Sequence, residues 1–194
     1  MNRSLSALPF REAKNWTRSA APIAKRLIVI HSMEYPLKRG AAEWCGNFFA
    51  GTTAEGAPKA SAHAGVDPGG IVQYVPWDQI AWHAPGANTF GIGIEHAGYA
   101  RFSIAEWTTP DGNAMLDNSA WLCAELCTRF KIPVDFLDHW ELASAGDKAT
   151  GITTHAEVNK AFKKSDHTDP GGGFPTGDYL RLVSKYALDA GAVA

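Results

Sequence analysis

The sequence predicts an α/β fold in which a central mixed β-sheet is flanked by helices. Short β-branched runs alternate along the chain with segments whose apolar residues recur at a helical period, the pattern of strands interleaved with helices. Two of the predicted strands are joined by Asp67-Pro68-Gly69-Gly70, a strong hairpin signal, so an antiparallel pair is also expected in the sheet. With 194 residues, and roughly 100–200 residues per domain, the chain is expected to form a single domain.

Four runs are predicted to be strands. The first, KRLIVIH at residues 25–31, is short, apolar at consecutive positions and rich in β-branched residues, which is typical of a strand buried on both faces. The other three are the two arms of the hairpin and a glycine-containing run: Ala60–Val66, Ile71–Val75 and Gly91–His96.

Four segments are predicted to be helices. Glycines bound the first at both ends, and Pro133 follows the second, whose apolar residues recur at helical spacing. The helices are Ala41–Ala50, Leu116–Lys131, Thr154–Phe162 and Gly177–Gly191. Residues 168–177 hold four glycines and two prolines and are predicted to be a loop. We therefore divide the chain into an N-terminal arm (1–24), a core (25–176) and a C-terminal helix (177–194).

The composition excludes several function classes. The chain has 18 Lys and Arg against 20 Asp and Glu, a net charge of -2, which gives no electrostatic footprint for nucleic acid. Apolar runs such as Leu27–Ile30 are far shorter than the ~20 residues that a membrane span needs. The N-terminus lacks the apolar stretch of a secretory signal, so synthesis in the cytoplasm is expected. A catalytic domain cut from a longer modular protein would look the same, and both arrangements stay open.

The three cysteines do not indicate a disulfide framework, because their number is odd and no CxxC pattern is present. Cys123 and Cys127 are four residues apart on the apolar face of a predicted helix, where small buried apolar residues are expected. With no cysteine placed beside a matching histidine, a Cys-His hydrolase is a weak alternative.

The strand Gly91–His96 carries the first candidate catalytic group. Its side chains alternate, so Gly91, Gly93 and Glu95 share one face, while His96 lies with the isoleucines and is expected to be structural. Two glycines on one face of a strand imply that something approaches closely there. Glu95 is then a candidate general base at the edge of a cleft, and a solvated surface glutamate is the alternative.

Histidines and an aspartate supply candidate metal ligands. His31 ends the buried strand, where α/β folds place their sites, although a structural histidine is an equally good interpretation at this point. Further along, His155, His167 and Asp169 lie within fifteen residues of one another, in part on a Gly/Pro-bounded loop. Two histidines and one aspartate suit a zinc site with an open fourth position, but no HExxH pattern organises them.

These residues lie in blocks that resemble the zinc-dependent N-acetylmuramoyl-L-alanine amidase superfamily, which also contains the peptidoglycan recognition proteins and many phage lysins. The matching blocks run in order from about residue 26 to 175: RLIVIH, ASAHAGVDPGGIVQYVPWDQIAWHAPG, FGIGIEHAG, GITTHAEV and HTDPGGGF. Within the superfamily, the chain most resembles amidases of phages that infect actinobacteria.

The resemblance implies a zinc cleft on one side of the sheet and a role for each matching residue. His31, His155 and Asp169 match the zinc ligands, and Glu95 matches the acidic residue that activates water. His167 stands where many relatives have an oxyanion-stabilising lysine; a protonated histidine supplies the same charge, but only at lower pH than lysine does. Some branches have a catalytic tyrosine where this chain has Ala62, which increases the dependence on Glu95.

The implied reaction is hydrolysis of the lactyl amide between N-acetylmuramic acid and L-alanine in peptidoglycan, with Zn²⁺ as cofactor. Trp82, His83 and Asn88 lie in the cleft-lining segment of the family and are expected to bind substrate. A phage endolysin, released to the cell wall when a holin permeabilises the membrane, is the expected biological role. A cytoplasmic muropeptide-recycling amidase and a non-catalytic peptidoglycan-binding protein are the alternatives.

Overall fold

The computed structural model describes residues 3–189. Residues 1 and 2 of the predicted arm, and residues 190–194 at the end of the predicted C-terminal segment, lie outside this range. Within it, no helix is both long enough and apolar enough to cross a membrane.

The described chain contains a mixed sheet, as the sequence predicts, and this sheet has five strands. The strands are β1 (Trp16–Thr17), β2 (Leu27–Ser32), β3 (Ala64–Asp67), β4 (Gly70–Gln73), β5 (Ile80–Ala81), β6 (Gly91–His96) and β7 (Gly151–Thr154). Five of them form the sheet in the order β4-β3-β6-β2-β7, and β1 pairs with β5 in a separate two-stranded sheet. Neighbours from β3 to β7 run parallel, whereas β4 pairs antiparallel with β3 through the predicted hairpin.

Helices cover both faces of this sheet. They are α1 (Ala41–Ala50), α2 (Ile104–Trp107), α3 (Pro110–Phe130), α4 (His139–Ala145), α5 (His155–Phe162) and α6 (Thr176–Asp189), with 3₁₀ turns at Leu5–Ala7 and Gly146–Lys148. On one face, Ile28 and Ile30 of β2 join a core with buried residues of α3 and α6. On the other face, Leu27 and Val29 pack with residues of α4 and α5. The alternation along β2 therefore buries it on both sides, which confirms the prediction for this strand.

Helix boundaries follow the local capping residues. Gly40 and Gly51 flank α1 in left-handed conformations, with φ of 83° and 74°, which ends the helix where the sequence predicts. Helix α3 begins earlier than predicted, because Thr109 caps it by accepting a hydrogen bond from the Gly112 amide and Pro110 occupies its first turn. The apolar period that marked this helix covers only its later part.

Strand β7 was not predicted, and Thr154 was predicted to be helical. Residues 151–154 form a strand because they pair with β2, in the register Leu27↔Gly151 to Ile30↔Thr154. Thr154 has extended backbone and caps α5, since its Oγ1 accepts a hydrogen bond from the Glu157 amide at 3.3 Å. The helix therefore begins at His155, directly at the end of β7.

The described part of the N-terminal arm runs along the exposed edge of β4. Backbone hydrogen bonds join Gln73 to Pro9 and Arg11, and Ala13 donates to the Tyr74 carbonyl. These bonds pair backbone groups of β4 that would otherwise be unpaired at the edge of the sheet.

Candidate active site

The parallel strands bring the candidate catalytic residues to one edge of the sheet. In the β2–β6 register His31 lies opposite Glu95, and in the β2–β7 register Ile30 lies opposite Thr154. His155 follows Thr154 directly, so it emerges at the same edge as His31. This edge holds the carboxyl ends of the parallel strands, where α/β folds place their binding sites.

Asp169 joins the two histidines in a compact buried cluster. Its Oδ2 lies 3.1 Å from His31 Nδ1, and its Oδ1 lies 3.1 Å from His155 Nδ1. The three residues are buried and offer ligand atoms that all lie within 4.8 Å of one another. The predicted ligand set is therefore brought together from three separate parts of the chain.

The electrostatics of the cluster keep the carboxylate ionised. Burial alone would raise the pKa of Asp169, but its contacts with His155 and His31 outweigh burial and hold that pKa well below its usual range. Burial lowers the pKa of His31, and Asp169 offsets this only in part. The cluster thus combines a carboxylate with an imidazole that favours its neutral form, the states that a metal requires.

The donor set and an unsatisfied atom both fit a zinc ion. Asp169 Oδ1 is buried, yet none of its contacts is aligned as a hydrogen bond. A buried carboxylate oxygen without a partner is costly, and a cation between the three side chains would satisfy it. Two histidines and one carboxylate are a typical set for catalytic zinc, which keeps its fourth position open.

Glu95 faces the same cleft from β6 and is half-buried. Burial raises its pKa well above the ordinary glutamate value, and repulsion from Asp169 and Glu34 adds to the effect. A carboxylate whose pKa is moved toward neutrality is a better proton acceptor for catalysis than an ordinary one.

His167 lies at the mouth of the cluster. Its ring stacks on that of His155 with centroids 4.4 Å apart, and its Nδ1 lies 3.3 Å from Asp169 Oδ1. The side chain is 60% exposed, in contrast to the buried ligand candidates. It can therefore meet a substrate that enters from solvent.

Comparison with known proteins agrees with this geometry. A family model described as N-acetylmuramoyl-L-alanine amidase matches residues 20–172, most of the chain. The chain belongs to this amidase family. Membership confirms the resemblance predicted from the sequence blocks, and N-acetylmuramoyl-L-alanine amidase is the activity of the chain.

Individual relatives align with most of this chain. The 1,6-anhydro-N-acetylmuramyl-L-alanine amidase AmpD of Escherichia coli K12 is 28% identical over 177 residues, which span 82% of each chain. A crystal structure of a selenomethionine AmpD derivative superposes with a TM-score of 0.66 at 24% identity, covering 93% of this chain and 96% of that one. A mutant endolysin from Bacillus subtilis superposes with a TM-score of 0.60 at 15% identity, covering 91% and 97%. The two structures share the fold with this chain.

The amidase cleft has a volume of about 480 Å³ and one aromatic wall. Trp44 and Phe48, four residues apart on α1, line it, and Tyr35 stacks on Trp44 with centroids 3.9 Å apart. Trp44 and Phe48 in turn lie nearly parallel, at 4° and 5.7 Å. This wall was not predicted; its only signal in the sequence is the i, i+4 spacing of two aromatic residues on one helix.

The three predicted substrate-binding residues occupy different positions. Trp82 lines the cleft at its rim, where its Nε1 donates a hydrogen bond to Thr17 Oγ1. His83 also lines the cleft but is buried, with its Nδ1 3.1 Å from His31 Nε2. Asn88 is not among the described residues that line the cleft: its Oδ1 accepts hydrogen bonds from the His83 and Ala84 amides. The structure thus places Asn88 as a brace for the loop, contrary to its predicted position.

Ala62, which stands at the tyrosine position of other branches, is fully buried in the core beneath α1. A methyl group there offers no polar atom to the cleft. The predicted base, Glu95, and the predicted oxyanion-stabilising residue, His167, both line the cleft.

Proposed function

We propose that this amidase uses zinc, held by His31, His155 and Asp169, to hydrolyse the lactyl amide between N-acetylmuramic acid and L-alanine. The observation that carries the proposal is the convergence of these three side chains in the cleft that Glu95 also faces. Bound zinc would supply Lewis acidity and activate water at neutral pH.

Glu95 acts as the general base in this proposal. It accepts a proton from the attacking water, whose oxygen bonds to the amide carbonyl carbon. When the carbon–nitrogen bond breaks, Glu95 returns the proton to the leaving amine of L-alanine. The products are the lactyl carboxylic acid of the sugar, which keeps the second hydrogen of water, and a free amino terminus on the peptide, so all atoms of water are accounted for.

His167 stabilises the negative charge that develops on the carbonyl oxygen. Its exposed ring, stacked on His155, can donate a hydrogen bond to a substrate bound over the cluster. A preorganised donor aimed at a developing oxyanion is typically worth a large part of an enzyme's rate acceleration.

The aromatic side chains suit the sugar next to the cleaved bond. Trp82 at the rim and Trp44 on the wall offer flat apolar faces, against which the apolar face of a pyranose ring can pack. Asn88 and His83 are not needed for this contact, because the first braces the loop and the second is buried.

The biological role proposed here is that of a phage endolysin acting on polymeric peptidoglycan. It is supported by the sequence blocks shared with phage amidases and by a cleft whose rim residues, Trp82, Glu34 and His167, are exposed to solvent. The second candidate is hydrolysis of soluble muropeptides, and the relative that favours it is a 1,6-anhydro-N-acetylmuramyl-L-alanine amidase.

Digestion of purified cell walls, followed by mass spectrometry, tests the reaction. The expected products carry new L-alanine amino termini and intact muramic acid, and the Glu95→Gln variant should not form them. Cleavage between sugars or within the peptide would contradict the proposed bond. Rates on insoluble walls and on soluble 1,6-anhydro-muropeptide separate the two roles: a strong preference for the soluble substrate would favour recycling over the endolysin.

A further inference from the structure

His83 is enclosed beneath the cluster, between β6 and His31. It is 8% exposed, and its ring lies over the face of β6 that carries Gly91 and Gly93. A Cβ on Gly93 would come 2.6 Å from His83 Cγ, and one on Gly91 would come 3.1 Å from its Cε1. The close approach that the two glycines predict is therefore made by a side chain of this protein, not by substrate.

The ring is held in a defined orientation by its own loop. Asn88 Oδ1 accepts hydrogen bonds from the backbone amides of His83 at 2.9 Å and Ala84 at 2.7 Å. Because Asn88 fixes its backbone and its ring packs against Gly91 and Gly93, His83 has little freedom to turn away from His31.

His31 has a different partner on each ring nitrogen. Its Nδ1 lies 3.1 Å from Asp169 Oδ2, and its Nε2 lies 3.1 Å from His83 Nδ1. If Nδ1 faces a metal together with Asp169, it carries no hydrogen, so the hydrogen of neutral His31 must be on Nε2. His83 Nδ1 is the acceptor within reach of that hydrogen.

We propose that His83 is a positioning residue that accepts a hydrogen bond from His31 Nε2 and so holds His31 with Nδ1 directed at the zinc site. The inference rests on the zinc site of the proposed function. Metal-bound histidines commonly donate their second ring N–H to an outer partner, which fixes the tautomer and the ring orientation. His155 has the equivalent arrangement, since its Nε2 lies 3.4 Å from Ser165 Oγ.

The surroundings of His83 support this direction of the hydrogen bond. His83 is buried, and a neutral imidazole has one donor and one acceptor nitrogen, so its Nδ1 can accept from His31 when its own hydrogen is on Nε2. Neighbouring His63 cannot replace it, because its Nδ1 accepts from the Gly93 amide and its Nε2 contacts the Gln79 carbonyl. Nε2 of His83 is buried without a partner among the described residues, so the contact with His31 is the one polar contact of its ring.

Three substitutions at His83 separate the hydrogen bond from the volume of the ring. Asn places an amide oxygen near the position of Nδ1, Gln places one near the position of Nε2, and Leu fills space without an acceptor. Zinc affinity, measured by competition with a chelator, should fall about 10–100-fold in His83→Leu and His83→Gln but be largely retained in His83→Asn. The absorption spectrum of the Co²⁺-substituted protein should change in the same two variants and be preserved in the third.

His63→Leu is the matched control, because it removes a buried imidazole beside His83 that makes no hydrogen bond to His31. It should lower thermal stability without weakening zinc binding by the folded protein. A further test needs no variant: NMR of the histidine ring nitrogens in zinc-loaded parent protein with labelled histidines. The spectra should show hydrogen on Nε2 of both His31 and His83.

Two results would overturn the inference: zinc binding in His83→Leu as tight as in the parent, or a hydrogen on Nδ1 of His83 in the zinc-loaded protein. Both leave the proposed function standing, provided that the parent binds zinc and cleaves the amide. A parent chain that binds no zinc would instead overturn the proposed function, and this inference with it.

Discussion

The imidazole of His83 occupies the space that a side chain on Gly93 would need, with its Cγ 2.6 Å from where a Cβ would lie. Gly93 is buried within β6, two residues before Glu95. The strand that presents the candidate base is therefore also the floor under the histidine that contacts His31. A change at this glycine should disturb the metal site without touching any ligand.

Replacing Gly93 with alanine should destabilise the protein by about 1–3 kcal/mol, the usual cost of overpacking a buried site. Since the displaced ring is that of His83, zinc affinity should fall as well. Gly177→Ala is the matched control, because that glycine is exposed in α6 and its added Cβ would meet nothing closer than 3.8 Å. Thermal unfolding and zinc titration check both variants; a Gly93→Ala protein as stable as the parent would contradict the packing described here.

Substitution of Glu95 by glutamine should remove most hydrolysis and leave the fold and the zinc in place. The amide keeps the size and hydrogen bonding of the carboxylate but cannot accept a proton, and a general base is worth roughly 10²–10⁴-fold in rate. The measurement is kcat on purified cell wall, with zinc content determined on the same sample. A loss of less than about tenfold would remove Glu95 from the role of base.

Two substitutions at His167 test its contact with the oxyanion. His167→Ala should lower kcat by about 10²–10³-fold, the effect of deleting one oxyanion donor. His167→Lys should keep substantial activity and extend it to higher pH, because a lysine stays charged to about pH 10.

Zinc content decides what a result at His167 means. An alanine variant that holds its zinc and matches the parent in rate would show that His167 only braces the loop. Loss of zinc would instead indicate a ligand, which the 3.3 Å contact between His167 Nδ1 and Asp169 Oδ1 makes geometrically accessible.

Because of Lys25, the free energy of unfolding should depend on pH between neutral and alkaline values. Its buried ammonium donates to the Thr89 and Gly91 carbonyls, and burial, only partly offset by Asp78, lowers its pKa from 10.5 to about 7. Between these two values the unfolded chain binds more protons than the folded one, so the contribution of Lys25 to stability rises with pH across that window. Below pH 7 the folded protein carries the full cost of the buried charge.

The variant Lys25→Met lacks this titration. The difference in unfolding free energy, parent minus variant, should rise with pH by at most about 1.4 kcal/mol per pH unit through the window. Denaturant unfolding of both proteins at several pH values measures it. Parallel stability curves would show that the two carbonyls keep Lys25 protonated in the folded state.

Elements with local signals could be predicted from sequence. The bounds of α1 follow from glycines at both ends, and those of β6 follow from an apolar alternation that needs no partner to be recognised. Strand β7 could not be predicted in this way, because its β-branched run, Ile152–Thr154, is short and leads directly into a helix, so that pairing with β2 decides its conformation. The contacts of Asn88 with the backbone could not be predicted for a similar reason, since they depend on the conformation of its loop.

In the candidate site, too, some residues could be predicted from a local pattern and others could not. The alternation along β6 alone indicated Glu95 and a close approach over the glycines, but not that His83 makes that approach. His31 and Asp169 are 138 residues apart, and no spacing rule connects them; the family resemblance assigned them to one site, and the fold brings their side chains to 3.1 Å. The aromatic wall needed the structure, because it depends on where α1 packs.

Zinc stoichiometry tests whether His31, His155 and Asp169 together bind the metal. Elemental analysis of the purified parent should find one zinc per chain, and His155→Ala should lose most of it, because a ligand is missing from the set His31, His155 and Asp169. His139→Ala serves as the control, since that histidine contacts Glu157 at 2.8 Å and lies outside the cluster. Full zinc occupancy in His155→Ala, or none in the parent, would contradict this ligand set.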